Sequence, residues 1–351
     1  MSANKSSRDI MPLYLFIALL TIFSACGLLG SDDKEPLEPG PRNYEWTVDT
    51  LYSPPGGFIY DIWGSSSDDV WAVAGGGLNN LWHFDGEEWS VWDERVGPSF
   101  YSIYGFAQDD VWMGGNDGKL YYFDGTGWTL AYSFDVEGAA LLDINSIWGE
   151  STSNIYAAGT IMNSDDSPRG FILQGNDTNW GEKIITSSEV QLIRIRSRGK
   201  SVFSFGVNIH SDPDSMFFYK FEGRELKELF VTSSDEVYSI SMNRIGESIH
   251  FVIEKEIYKY SKNKFNKWHT ISDPNFGYQI YGRHKKDMFL RMNNGLAHYN
   301  GKDTKYLFDL DHSLLSLSNN AMIFEKEVFF IVADYDQGTN YIFHGILTEN
   351  E

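Results

Sequence analysis

The sequence predicts an all-β fold, a single β-propeller of about seven four-stranded blades closed by the N-terminal strand, and three observations carry that expectation. A motif recurs along the chain every 40 to 48 residues, close to the length of four short strands with their turns. The composition, 42% hydrophobic and 16% aromatic with 33 glycines in 351 residues, suits many strands joined by tight turns. The piece missing from the last copy of the motif stands at the other end of the chain, ahead of the first copy.

The clearest copy runs Asp61-Ile62-Trp63-Gly64, Asp68-Asp69-Val70-Trp71-Ala72-Val73, Leu81-Trp82-His83-Phe84-Asp85-Gly86 and Trp89. A second follows with Ser102-Ile103-Tyr104-Gly105, Asp109-Asp110-Val111-Trp112, Leu120-Tyr121-Tyr122-Phe123-Asp124-Gly125 and Trp128. The third has Ser146-Ile147-Trp148-Gly149, Asn154-Ile155-Tyr156, Phe171-Ile172-Leu173 and Trp180, with an insertion between its second and third strands. Later copies drift but keep the frame: Ile195, Ile240 and Ile280 take the place of Ile62, and Gln279-Ile280-Tyr281-Gly282 restores the opening signature. Successive isoleucines are 41, 44, 48, 45 and 40 residues apart, and in four copies the signature glycine precedes the residue aligned with Val70 by 6.

The seventh copy, Leu314 to Phe324, Val328 to Val332 and Asn340 to Leu347, ends without an outer strand. Tyr44-Glu45-Trp46-Thr47-Val48 matches Glu87-Glu88-Trp89-Ser90-Val91, the outer strand of the first full copy. It is therefore expected to complete the last blade and remove the open sheet edge between the termini.

Most repeated residues have a folding role. Asp85-Gly86, Asp124-Gly125 and Asn300-Gly301 are hairpin dipeptides for the turn between third and fourth strands. Asp69, Asp110, Asp287 and Asn154 are expected to bond the backbone of their own turns. The tryptophans are expected to pack between neighbouring blades.

The N-terminus has a different character. Lys5 and Arg8 precede an apolar run from Met11 to Ile22, too short to span a bilayer comfortably, and Ser24-Ala25 stands before the single cysteine, Cys26. Phe23-Ser24-Ala25-Cys26 resembles the lipobox of bacterial lipoproteins, with Phe23 in place of the usual leucine. That resemblance implies cleavage after residue 25, acylation of Cys26, and a location lipid-anchored at the bacterial outer membrane, including the cell surface. Gly27 to Arg42 carries Ser31-Asp32-Asp33-Lys34-Glu35 and Pro36, Pro39 and Pro41, a composition that cannot bury a core and reads as a tether. Its acidic cluster resembles the surface-export signal of Bacteroidetes-like lipoproteins and reads equally as a solvated linker. The domains are then 1–25 (signal peptide), 26–43 (lipidated cysteine and flexible tether) and 44–351 (propeller).

The Ile-Trp-Gly, Asp-Val-Trp-Ala-Val and Phe-Asp-Gly-x-x-Trp blade pattern resembles bacterial β-propeller lipoproteins, and more distantly the propellers of two-component sensor ectodomains. The resemblance covers about residues 44 to 347 and implies a fold, not a function.

A net charge of −21 argues against nucleic acid as a partner, since phosphate binding rests on Lys and Arg; contact with the membrane is expected from the acyl chains alone. His83 and His298 occupy equivalent places and read as structural, and the other histidines have no metal-type spacing. No catalytic residue is assigned. By exclusion, ligand contact is expected in the loops between second and third strands, where residues escape the repeat: Asn79, Asn80, Asn116, Asp117, Asp165, Asp166, Arg169, Asp212, Asp214, Asn293, Asn294, Asp334 and Asp336. Their aspartates would make one mouth of the central channel acidic and attract a cation or a cationic partner. Asp334 and Asp336 are the candidate ligands for a metal such as calcium, although the segment lacks the order of an EF-hand, and no cofactor is required.

Two function classes follow. The first is a non-enzymatic binding or assembly module, surface-displayed or facing the periplasm, with a protein or glycan partner. The alternative is a glycan-processing enzyme, sialidase-like or lyase-like. A sialidase would need an arginine triad, for which Arg169, Arg194, Arg196, Arg283 and Arg291 are available, and a Tyr-Glu nucleophile pair; its Asp-box repeats are absent from the sequence.

Overall fold

The computed structural model describes residues 38–53, 57–76, 79–92, 99–176, 179–223, 225–237, 239–310 and 315–348. Cys26 and the leader lie outside the described residues. From residue 39 onward the chain forms seven four-stranded antiparallel sheets, six of them with their four strands in chain order. Blade one begins at Phe58–Ser66, blade two at Phe100–Ala107, blade three at Ala139–Ser151, blade four at Gln191–Arg198, blade five at Ile240–Ile245, blade six at Phe276–His284 and blade seven at Leu315–Ile323.

Blade seven takes its fourth strand from the N-terminus, as expected. Tyr44–Leu51 lies antiparallel to Thr339–Leu347, with Tyr44 opposite Leu347 and Leu51 opposite Asn340. Trp46 locks the joint by edge-on contact with Phe308 of blade six at 4.9 Å. The approach to this strand is also fixed: the Gly40 N–H donates to the Lys286 carbonyl (2.7 Å) and Arg42 pairs with Asp303, both in turns of blade six. The chain thus joins the ring at the end of the sheets that carries the turns between first and second and between third and fourth strands. The loops between second and third strands lie at the opposite end.

The constant interval after the signature glycine is a β-bulge. Register shifts fall between Gly64 and Ser66, Gly105 and Ala107, Gly149 and Ser151, and Gly282 and His284, one extra residue at each first turn. At Gly64, Gly105 and Gly149 the preceding blade presses a ring onto the glycine, and Gly282 takes a positive φ of 151° instead. A Cβ on Gly105 would stand 2.7 Å from the Trp63 ring, and one on Gly149 would stand 2.6 Å from Phe106. Blades four and five pair Ser197 with Val202 and Arg244 with Ile249 with no such shift. This shortens the interval and corrects one alignment: Met242, opposite Phe251, takes the place of Ile62 in blade five, and Ile240 lies two residues earlier.

Polar clasps tie the blades together around the axis. Asp61 accepts the Ile103 N–H and the Ser102 hydroxyl (3.0 Å each), Ser102 Oγ accepts the Ile147 N–H (2.8 Å), and Ser146 Oγ accepts the Ile195 N–H (3.2 Å). In blades one to three the residue before the inner isoleucine therefore satisfies a first-strand N–H of the next blade, which has no partner within its own sheet.

The third turns follow the expected chemistry with a different placement. Asp85, Asp124 and Asn300 each accept two backbone N–H bonds from the residues two and three positions on. The glycines Gly86, Gly125 and Gly301 take the positive φ at the first central position, the pattern of a II′ turn.

The acidic residues before the second strand do something other than cap their turns. Asp69 bonds His83 Nε2 at 2.7 Å and the Ser65 hydroxyl, and Asp287 bonds His298 Nε2 at 2.7 Å and Arg283 at 2.8 Å. Glu327 holds His344 in the same way at 2.8 Å. Each imidazole also packs on an aromatic ring of the second strand: His83 on Trp71 (4.2 Å), His298 on Phe289 (4.9 Å), His344 on Phe329 (4.0 Å). Burial, the largest single effect, would raise both aspartates, but the bonds and charge of histidine together with the Ser65 bond on Asp69 and the Arg283 pair on Asp287 hold them below the usual carboxylate range. His298 is fully buried, and these pairs knit second and third strands together.

Candidate functional site

The first strands of all seven blades enclose a central cavity of about 850 Å³, within the range of ligand sites. Its wall carries four arginines, Arg194, Arg196, Arg244 and Arg291, against two carboxylates, Asp61 and Asp143. This cationic interior sits inside a chain of net charge −21. At the end bearing the loops between second and third strands, the rings of Tyr60 and Tyr101 meet edge-on at 5.1 Å, and Phe58 and Tyr335 pack at 5.1 Å. Tyr60 is 43% and Tyr335 60% exposed, whereas Arg194 and Arg196 are 7% and 8% exposed.

Arg194 and Arg196 flank the core residue Ile195 on the first strand of blade four, so both side chains leave the strand on the face opposite Ile195, and both line the cavity. Arg196 lies over the Trp148 ring at 4.4 Å and donates to the Asn243 side-chain oxygen (3.2 Å), the Ser146 hydroxyl (3.4 Å) and the Ile195 carbonyl (2.8 Å). All three acceptors are neutral. Burial, with repulsion from Arg194, brings the Arg196 guanidinium down to about 9, so it stays charged at neutral pH. Burial also lowers Arg194. Arg244 is balanced by Glu150 at 3.2 Å.

The two carboxylates differ. Asp61 is committed to the blade clasp, and burial raises its pKa against the hydrogen bonds it receives and the charge of Arg196. Asp143 is raised by burial and by the nearby Asp117, and its Oδ1 has no hydrogen-bond partner among the described residues. Tyr104 and Tyr281 on the same wall are pushed up to about 12 by burial and act as neutral hydroxyls.

None of the thirteen loop residues expected from the sequence lines this cavity. They stand at the expected end of the sheets but serve their own loops. The Asn79 amide donates to the Tyr52 carbonyl, Asn80 is buried, and Asp117 pairs with Lys119 at 3.1 Å after Asn116. Asp165 accepts from Ser167 beside Asp166, Arg169 donates to Asn163, and Asp212 and Asp214 flank Pro213 in an exposed loop. The Asn293 N–H donates to the Asn275 carbonyl, and Asn294 accepts from Tyr306. Asp334 Oδ1 accepts the N–H groups of Asp336 and Gln337, which ties that oxygen to the turn. Among the described residues no group of three His, Cys, Asp or Glu is placed to hold a metal. Two of the thirteen reach its lining indirectly, Asp117 through the charge of Asp143 and Asn116 through a side-chain hydrogen bond with Tyr101.

Of the five arginines available for a triad, Arg194, Arg196 and Arg291 share the cavity wall, while Arg283 is tied to Asp287 and the Phe324 carbonyl and Arg169 stays in its loop. The signal for the site was in the repeat itself. With Ile195 aligned on Ile62, Arg196 falls where Trp63, Tyr104, Trp148 and Tyr281 stand, and Arg194 falls where Asp61 stands. These are departures from the pattern inside a strand.

No protein-family model and no curated protein matches the chain. Solved structures do. The chain is similar to YCF48 bound to D1 peptide (TM-score 0.59, 14% identity, covering 89% of this chain and 100% of that one). It is also similar to YCF48 from Cyanidioschyzon merolae (0.52, 17%, 85% and 98%) and to the extracellular domain of BT4673 from B. thetaiotaomicron (0.54, 10%, 85% and 40%). The chain is a seven-bladed β-propeller. At these identities the likeness is one of fold, and the arginine cavity belongs to this chain's own residues.

Proposed function

We propose that this protein is a non-enzymatic binding or assembly lipoprotein of the bacterial outer membrane, acylated on Cys26, whose propeller receives an anionic segment of a protein partner in its central channel. One observation carries the reading: four arginines, two of them buried, converge on a single cavity in an otherwise strongly acidic chain. Tyrosine and arginine are also the residues in which interface energy concentrates, and the tyrosine-rimmed mouth lies at the end of the sheets opposite the point where the chain joins the ring. A similar propeller, YCF48, was solved with a bound peptide, which supports a protein partner.

The same three arginines would suit a sugar acid. A glycan-processing enzyme would further need its Tyr-Glu pair, and no glutamate lines the cavity among the described residues.

Two measurements test the proposal. Cys26→Ser should abolish incorporation of labelled fatty acid; unchanged labelling removes the anchor. A photo-crosslinking side chain at position 335, on the mouth, should trap a partner in cells that the same group at position 200, in a turn at the opposite end, does not trap. Equal trapping at both positions rules out the channel mouth as the docking face.

A further inference from the structure

The surroundings of Arg196 leave one edge of its guanidinium open. Nε is held by Asn243, and Nη1 by Ser146 and the Ile195 carbonyl. Nη2 has no acceptor among the described residues, and Arg196 is one of the residues that line the cavity. The Trp148 ring supports the plane from below. A guanidinium fixed on two nitrogens and on one face has lost its freedom before any ligand arrives, so an acceptor at Nη2 gains a charge-assisted bond at little further ordering cost.

We propose that this edge is a carboxylate site, taking the carboxylate of an extended acidic segment of a partner protein that enters past Tyr60 and Tyr335. The inference rests on the protein-binding reading above and names the group recognised. Charge complementarity favours a carboxylate over a phosphate. The wall offers four guanidiniums, of which Arg244 is already shared with Glu150, against Asp61 and Asp143, and Asp143, with its unpartnered Oδ1, would repel a dianion more than a monoanion. The rings at the mouth give the flanking residues an apolar surface. The carboxylate can come from an Asp or Glu side chain or from a chain end, and the chemistry at Arg196 is the same for both.

The test uses the detergent-solubilised full chain and follows tryptophan fluorescence, since Trp148 lies directly under the guanidinium. Four probes are titrated: an acetylated and amidated alanine pentapeptide with a central glutamate, an acetylated alanine pentapeptide with a free C-terminus, its amidated neutral counterpart, and a galacturonate oligomer. Binding of the first or the second, with the neutral peptide silent, supports the site and says whether the side chain or the chain end is its source. Arg196→Gln should weaken that binding about 10- to 100-fold, the range for a charge-assisted bond, with the melting temperature measured alongside. Should that variant not fold, Arg196→Lys keeps the charge but loses the planar fork, and it too should bind more weakly. Silence from both carboxylate peptides, equal binding by wild type and folded variant, or binding of the galacturonate oligomer alone overturns the proposal. The crosslink from position 335 would stand in the first two cases, so the failure of this inference is separable from failure of the protein-binding reading.

Discussion

Blade two and blade four occupy equivalent places in the ring and solve the same packing problem with different residues. Blade two opens Ser102-Ile103-Tyr104-Gly105, with a clasp, a core residue, an aromatic ring and a glycine pressed by Trp63. Blade four opens Arg194-Ile195-Arg196-Ser197, keeping the core residue and replacing the other three, and it drops the bulge. Blade five departs in a second place: His250 stands where Trp71, Trp112 and Phe289 stand in their blades, with only 1% exposure. The regular blades show what closing the ring requires. The irregular ones show which positions the ring can release, and two of those now carry buried charge facing the axis.

One deletion and four substitutions can break or sharpen this comparison, in falling order of their effect on stability. Removing residues 44–51 deletes the strand that blade seven borrows and exposes the edge of Thr339–Leu347. The loss should rival the whole stability of a domain, about 5–15 kcal/mol, seen as the disappearance of a cooperative thermal transition. A normal transition would mean that the ring does not depend on its closure.

His250 comes next, and its effect appears only in acid. Its Nδ1 meets the Ser248 carbonyl, its Nε2 has no partner, and burial pushes its pKa from 6.5 to about 4. The unfolded chain therefore binds a proton near pH 6.5 that the folded chain refuses until about pH 4. Stability from this residue is fully present above that window and falls as pH drops through it, by on the order of 3 kcal/mol. His250→Phe, which restores the aromatic ring of the other blades, should flatten the stability curve between those values. A curve of unchanged slope would mean that the acid response arises elsewhere.

Gly105→Val places side-chain atoms against Trp63 and the Asp110 carbonyl, an overpacking that should cost about 1–3 kcal/mol in denaturant titration. Ser197→Ala at the equivalent place in blade four should be neutral or slightly stabilising, because the buried Ser197 hydroxyl makes no hydrogen bond. If the two changes cost the same, the glycine is not there for the ring above it.

Arg196→Tyr copies the residue of blades two and six into blade four. Exchanging a buried cation for a ring removes a desolvation cost, so the melting point should hold or rise while carboxylate binding is lost. A large drop in melting point would mean that Arg196 is a structural strut.

The fold was legible because its determinants repeat: each glycine, ring and hairpin dipeptide recurs at a place where the same contact recurs. The candidate cavity was legible in principle, as departures from the repeat inside a strand. A search for residues outside the repeat looked to the loops, where Asp165, Asp212 and Asp334 vary, although the decisive departures, Arg194 and Arg196, sit within a strand beside a conforming isoleucine. Strand register was the hidden quantity. The equivalence of His83 and His298 is visible in the sequence, but their pairing with Asp69 and Asp287 depends on which residues face each other across two strands. The unbulged turn of blade five shifts Met242 into place without leaving a motif to mark it.

The closure of the ring also decides how the molecule meets force. A pull on the segment before Tyr44 acts along the axis of the borrowed strand, because Tyr44 is its leading end and Leu51 its trailing end. Such a load shears the strand past Thr339–Leu347, so the bonds of eight residue pairs bear it together instead of unzipping in sequence. Trp46, wedged against Phe308, resists the same slide. A propeller tethered from this end and held by its channel would carry tension through its strongest geometry, with the docked Gly40 and Arg42 as the first contacts to yield.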